Sequence, residues 1–243
     1  MGFASPAEFD DWFFKYYPYL EKIIPFDDLG GKRVLEVGLG YGSVSQKLIE
    51  NEASFLGLDI AEGPVGLVKD RLGALGVEGE VIEGSVLDCP WKDSTFDFVV
   101  SIGCLHHTGD PVKGIKEMHR VLKPGGGCVI MVYNAFSYRQ WFTSPKIAFS
   151  QFYQEMRKPG VFREAGESER GRYDKNIKKK TAPSTHFIGT RGLKAIFNNL
   201  FSDVEIRRRN IGDEALLRFF PRSWKLRFLG PVLGLDLYAK LKK

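Results

Sequence analysis

The chain has 243 residues, 43% of them apolar and 27% charged, which suits one α/β domain with insertions and excludes global disorder. Its three cysteines, Cys89, Cys104 and Cys128, have no CxxC spacing, which argues against a disulfide framework or a zinc ribbon and for a reducing, cytoplasmic setting; nothing reads as a secretory leader or membrane span, and Pro6 breaks the myristoylation pattern. The net charge of +5 divides unevenly, with 12 Lys+Arg against 20 Asp+Glu in residues 1–133 and 23 against 10 thereafter, that is −8 and then +13, so the second half is expected to meet something anionic.

In chain order, Phe9, Trp12, Phe13, Tyr16 and Leu20 recur at helical spacing and predict a helix over 9–20. A short apolar strand at 32–37 runs into a glycine-rich turn and a helix to about 51. A second strand at 54–60 contains Asp59 near its end, and a helix over 64–75 opens on proline and stops before Gly76. Further strands are expected at 80–83 and 96–102, then a helix from Asp110-Pro111 to 122, a Lys-Pro-Gly-Gly-Gly turn and a fifth strand at 128–133. Strands alternating with helices call for a parallel sheet covered on both faces. Residues 135–189 lose this regularity and read as a partly mobile insertion, with 163–184 too charged to hold a core. A helix at 190–200 and strands at 203–209 and 235–241 complete one domain: a helical cover (1–31), a core (32–134), the insertion or lid (135–189) and a C-terminal part (190–243).

The chemistry-bearing pattern is Glu36-x-Gly38-x-Gly40-x-Gly42, directly after the first strand. Glycines there let the backbone turn sharply and approach a ligand. Ser43 stands where the dinucleotide fingerprint needs its third glycine, which weighs against an NAD-dependent oxidoreductase. Together with Gly57-Leu-Asp-Ile60, the run from Ser94 to Val100 leading to Leu105-His106-His107, and Arg120-Val-Leu-Lys-Pro-Gly-Gly126, residues 32–134 resemble the class I S-adenosylmethionine (SAM) dependent methyltransferases of the type 11 small-molecule group. The resemblance implies a doubly wound, Rossmann-like, seven-stranded sheet with an antiparallel last strand. It also implies SAM as cofactor, with S-adenosylhomocysteine as product and no metal.

In that family's terms, Asp59 would accept the ribose hydroxyls, Glu36 would hold the ammonium end, and Gly38, Gly40 and Gly42 would admit the cofactor. Ile60, Ser85, Val86, Ile102 and Gly103 would line it, Ser85 replacing the usual acid, and Tyr16 and Tyr17 would cover it. The candidate bases are His106, His107 and His186; a role in shaping the pocket is the alternative for His106 and His107. Tyr133, Tyr138, Arg139 and His186 are the expected acceptor contacts. The expected acceptor is a small biosynthetic intermediate (a sugar, polyketide or prenoid, lipid-linked or anionic). Nucleic acid is disfavoured by Ser101-Ile-Gly-Cys104, where base methylases carry Asn/Asp-Pro-Pro-Tyr. An RNA methyltransferase and a non-catalytic SAM-binding regulator are the alternatives. Two basic clusters, 178–180 and 207–209, read as solvated faces, and 216–229, mixing aromatics with arginines, reads as a connector or as a peripheral membrane contact.

Overall fold

In the computed structural model, which describes residues 5–173, 182–212 and 219–243, the central apolar runs become strands with almost no wet face. In β1 (Arg33–Val37) and β2 (Ser54–Asp59), four consecutive residues are buried in each. That is the signature of parallel strands covered on both sides. The seven-stranded sheet has the order β3-β2-β1-β4-β5-β9-β8. β1 pairs in parallel with β2 and β4 (Phe96–Ile102), and β2 with β3 (Glu80–Glu83), while β8 (Asp203–Arg209) pairs antiparallel with β9 (Asp236–Lys242). The winding therefore reverses at β1, the point where such sheets bind ligands beyond their carboxyl ends.

The chain divides into two units, Met1–Ser101 with Glu117–Val129 and Lys243, and Ile102–Lys116 with Ile130–Lys242. In the first, α1 (Pro6–Tyr16) is capped by the Ser5 side chain and ends before the expected residue 20. Pro18 is the cause: it disfavours the helical conformation at Tyr17 and has no N–H to donate. A short α2 (Leu20–Ile23) follows. α3 (Ser43–Glu50) leaves the glycine turn, and α4 (Glu62–Leu75) stops at Gly76, whose φ of 64° is left-handed. α5 (Pro111–Val121) precedes β5 (Leu122–Tyr133), which starts six residues earlier than expected. Its glycines pair with the chain end, Gly125 N–H donating to Lys243 O (2.8 Å) and Lys243 N–H to Gly126 O (3.0 Å). A Cβ on Gly127 would come within 2.8 Å of the Phe98 ring, so the strand needs a bare backbone there.

In the second unit the presumed irregular insertion is largely built structure. It holds α6 (Tyr138–Thr143), α7 (Pro145–Arg157), β6 (Arg163–Glu164), α8 (Glu167–Tyr173) and β7 (His186–Phe187), which pairs antiparallel with β6. The charged stretch 163–184 adds Ala165 and part of Tyr173 to a core formed mainly by its flanks: Ala135, Ala165 and Phe187 are buried together, with Tyr133, Phe136 and Tyr173 against them. One of its ion pairs is turned inward. Arg163 pairs with the 4%-exposed Glu169 at 2.7 Å, and Gln140 Nε2 donates to the same carboxylate at 2.5 Å. α9 (Thr190–Phe197), β8, α10 (Arg222–Trp224), a π-helical turn over Lys225–Leu229 and α11 (Gly230–Leu233) complete the unit with β9. Residues 178–180 and the start of the 216–229 segment lie outside the described residues. Among the described residues no helix is long and apolar enough to cross a membrane.

Candidate functional site

In the first unit, the loops after β1, β2 and β3 are tied to one another by backbone bonds: Gly38 N–H donates to Leu58 O and Gly84 N–H to Asp59 O, both at 2.8 Å. Gly40 has a φ of 53° and nothing within 4 Å of where a Cβ would stand, so its backbone is bare on the open side of the turn. Gly42 (φ 80°) is constrained from the other side, since a Cβ would come within 2.9 Å of Arg71 Nε.

Asp59 faces this turn. Its Oδ2 accepts Leu39 N–H at 2.7 Å and its Oδ1 accepts Ala61 N–H at 2.9 Å, which orients the carboxylate and leaves a lone pair on each oxygen for a further donor. Glu36 is 3% exposed and accepts the Ser45 hydroxyl at 2.5 Å. Burial pushes its pKa up to about 8; the Ser45 bond opposes this, neighbouring Asp59 reinforces it and Arg71 opposes it. Ile60 is 74% exposed beside Asp59. Ser85 Oγ accepts Leu87 N–H at 3.2 Å and so caps the turn Val86–Asp88.

The cover over the turn is held by a group that sequence reading missed. Arg71 on α4 forks onto Asp10 of α1 (2.6 and 3.0 Å) and donates to Tyr41 O at 2.8 Å, while Asp10 also accepts the Ser43 hydroxyl at 2.5 Å. Phe9 meets the Tyr41 ring at 4.6 Å. Tyr16 and Tyr17 stack within the aromatic cluster of α1, Tyr16 on Trp12 at 5.2 Å and Tyr17 on Phe13 at 5.1 Å. Only the residue types gave any hint of this clamp, because Asp10 and Arg71 are 61 positions apart.

The second unit brings most of the remaining candidates together. After Ile102 and Gly103 (φ 80°), a 3-10 turn carries Leu105–His107. His106 is 0% exposed, its ring 3.8 Å from that of Tyr133 and 4.2 Å from that of His107. Burial first, then the neighbouring His107 and His186, hold its pKa well below the usual histidine value. His107 is half-buried, with Nδ1 3.0 Å from Ser184 O. A carbonyl only accepts, so Nδ1 is the donor in this contact. His186 lies on β7 with Nδ1 3.2 Å from the Ser184 hydroxyl.

Tyr133 is the hub of these rings, with Tyr173 at 5.2 Å and Phe187 at 5.7 Å. Arg139 lies over the Tyr173 ring at 4.7 Å. Tyr138 is 6% exposed in a cluster with Ile211 and Leu235 against which Tyr173 also packs, and its hydroxyl accepts Gly212 N–H at 3.1 Å. Tyr173 and Ser184 are further residues of this cluster that sequence reading passed over, both within the stretch read as too charged to hold a core. In the triplet on β8, Arg208 donates to Thr190 Oγ1 (3.1 Å) and Val232 O (3.2 Å) and Arg207 pairs with Glu205. Cys89 and Cys128 are buried with raised pKa, Cys89 to about 12. Among the described residues no group of His, Cys, Asp and Glu could hold a metal.

Residues 35–130 match the family described as a methyltransferase domain, type 11. Residues 35–130 thus carry a methyltransferase domain of that type. A ubiquinone biosynthesis O-methyltransferase of Pseudomonas aeruginosa is 31% identical over 110 residues, 44% of this chain and 46% of the relative. A Bos taurus protein named as a probable tRNA methyltransferase 9B is 30% identical over 178 residues, 69% of this chain and 37% of the relative. The chain thus matches less than half the length of either. A SAM-dependent methyltransferase structure from Methanosarcina mazei is 17% identical with a TM-score of 0.59, covering 93% of this chain and 97% of that one; at that identity the likeness concerns the fold.

The methyltransferase domain's own residues fit SAM. A buried carboxyl at Glu36 suits a cationic ammonium, Asp59 keeps acceptor capacity for two hydroxyls, and the bare Gly40 backbone allows close approach.

Proposed function

We propose that the chain transfers a methyl group from SAM to a hydroxyl on a small aromatic acceptor bearing negative charge. The observation that carries the cofactor half is the fixed Asp59 carboxylate facing a glycine turn of left-handed φ. When bound, SAM supplies a sulfonium-activated methyl group. Asp59 accepts from the ribose hydroxyls, each charge-assisted bond contributing roughly 1.5–3 kcal/mol. Glu36 in its ionised form pairs with the ammonium, and Ser45 orients it. Ile60 offers an apolar face to the adenine, and Ser85 and Val86 meet its edge. Ile102 and Gly103 pass beside the cofactor. With the methyl group already activated, alignment supplies much of the rate, since effective molarities of about 10⁵–10⁸ M come from positioning alone.

In the acceptor half, half-buried Tyr133 and Tyr173 stack on a flat ring and Arg139 attracts its charge. The hydroxyl oxygen would form the new C–O bond as the S–CH3 bond of the sulfonium breaks and S-adenosylhomocysteine leaves with that electron pair; His107, whose Nδ1 is held by Ser184 O, would take the hydroxyl proton on Nε2. His106, enclosed and neutral, shapes the wall. The ubiquinone-pathway relative supports an aromatic, prenoid-type acceptor over a sugar or polyketide. A second reading, RNA methylation, is favoured by the tRNA methyltransferase 9B relative and by the +13 balance after residue 133.

The test is methyl-labelled SAM incubated with fractionated host extract. Label in an organic-extractable small molecule, absent with Asp59→Ala, supports the first reading. Label in RNA, with salt-sensitive binding, replaces it with the second. Cofactor binding with no transfer to any fraction leaves a non-catalytic regulator.

A further inference from the structure

A helix on a globular surface normally buries its apolar stripe and wets its polar one. α7 does the reverse. Its buried residues are Ala148, Gln151 and Glu155. Gln151 Nε2 donates to Phe187 O at 3.1 Å and its Oε1 accepts Arg163 Nε at 2.8 Å, while Glu155 accepts Gly189 N–H at 2.5 Å and Gly192 N–H at 3.2 Å. The outward stripe is Phe149, Phe152, Tyr153 and Met156, spaced i, i+3, i+4, i+7 and 64, 50, 62 and 49% exposed, with Phe142 of α6 at 70%. Exposed apolar surface of this extent marks a docking site.

Charge selects the occupant. Glu155 is the only acid in residues 137–163 and is 3% exposed, so the exposed charges along α7 and its end are Lys146, Arg157 and Lys158. A second copy docking on this face through a two-fold axis would set cations against cations. The same composition recurs in the same unit: residues 219–233 contain no acid, and there Phe220, Trp224 and Phe228 stack in series at 4.8 and 5.3 Å, 46, 40 and 51% exposed, with Arg222 and Arg227 among them. A protein partner would have to match two separately shaped patches, whereas a lipid surface imposes no shape and offers both an apolar interior and negative headgroups.

We propose that α7 docks the protein on an anionic phospholipid bilayer. This concerns the surface alone and holds whichever acceptor is methylated. The test is flotation of the full chain with phosphatidylglycerol-containing vesicles and with pure phosphatidylcholine vesicles. The expected result is strong, salt-weakened flotation with the anionic vesicles and weak flotation with the neutral ones. Phe149→Ser with Tyr153→Ser should lower the bound fraction roughly tenfold, with an unchanged melting curve as evidence of folding. Arg157→Glu with Lys158→Glu keeps the aromatics and should lower anionic-vesicle binding alone. Absence of flotation, or flotation indifferent to both variant pairs, overturns the proposal. A concentration-dependent dimer abolished by the aromatic pair overturns it in favour of self-association.

Discussion

Glu36 is 3% exposed at the end of β1, with a pKa raised from 4.5 to about 8. In the native, cofactor-free protein the carboxyl therefore keeps its proton up to about pH 8, whereas in the unfolded chain it loses it near pH 4.5. The unfolded state binds fewer protons across this window, so stability is fullest below the unfolded pKa and falls as pH rises toward the folded one. At 1.36 kcal/mol per unit, the shift corresponds to a total of about 5 kcal/mol, of which roughly 3–4 kcal/mol falls between pH 5 and pH 8. Glu36→Gln cannot ionise, and its amide oxygen can still accept the Ser45 hydroxyl, so its stability should lack this component. Urea unfolding of both proteins at pH 5, 6.5 and 8 isolates the difference, because the titrations they share cancel. Parallel decline of the two curves would refute the assignment of a protonated Glu36. A cationic ammonium should reverse the preference, so binding of S-adenosylhomocysteine at pH 7 should release close to one proton in the wild type and none in the Glu36→Gln variant. Titration calorimetry in two buffers of different ionisation enthalpy measures that release.

Asp59→Ala should abolish the thermal stabilisation that S-adenosylhomocysteine confers, and a retained shift would remove Asp59 from the site. Asp10→Ala strips one partner from an ion pair whose side chains are 6% and 15% exposed, and such losses cost about 3–5 kcal/mol when the remaining charge is buried. Earlier proteolysis within α1 and a lower melting temperature are expected, and unchanged values would mean that the clamp is not what holds the cover. His107→Gln should lower kcat by roughly 10²–10⁴ while leaving cofactor binding unchanged, whereas a structural role alone would show a matching loss of stability and little loss in kcat.

What could be read from the chain follows the range of the forces concerned. β1 to β4 were legible to within a residue because runs such as Val34–Val37 bury consecutive positions, and the glycine turn was legible because left-handed φ at Gly38, Gly40 and Gly42 has a one-residue signature. Asp59 followed from its place near the end of β2. The C-terminal edge of α4, at Gly76, is local in the same sense.

Misreadings arose where residues take their environment from distant partners. Composition cannot distinguish a solvated charge from Glu169, which is buried against Arg163 and Gln140, or from Glu155, which caps backbone N–H groups 34 and 37 positions away. β5 gained its first turn of strand from Lys243 at the opposite end of the chain. By itself, then, the sequence determined the first four strands with the helices between them, the glycine turn after β1 and the likeness of 35–130 to a methyltransferase domain, all specified by contacts within a few residues. Only the tertiary structure decided that Arg71 clamps α1, that Ser184 O holds Nδ1 of His107 and that α7 turns its aromatic stripe outward. Each of these depends on which groups desolvate one another once the chain has closed, and a buried charge or amide is stable only beside the particular partner that folding brings to it.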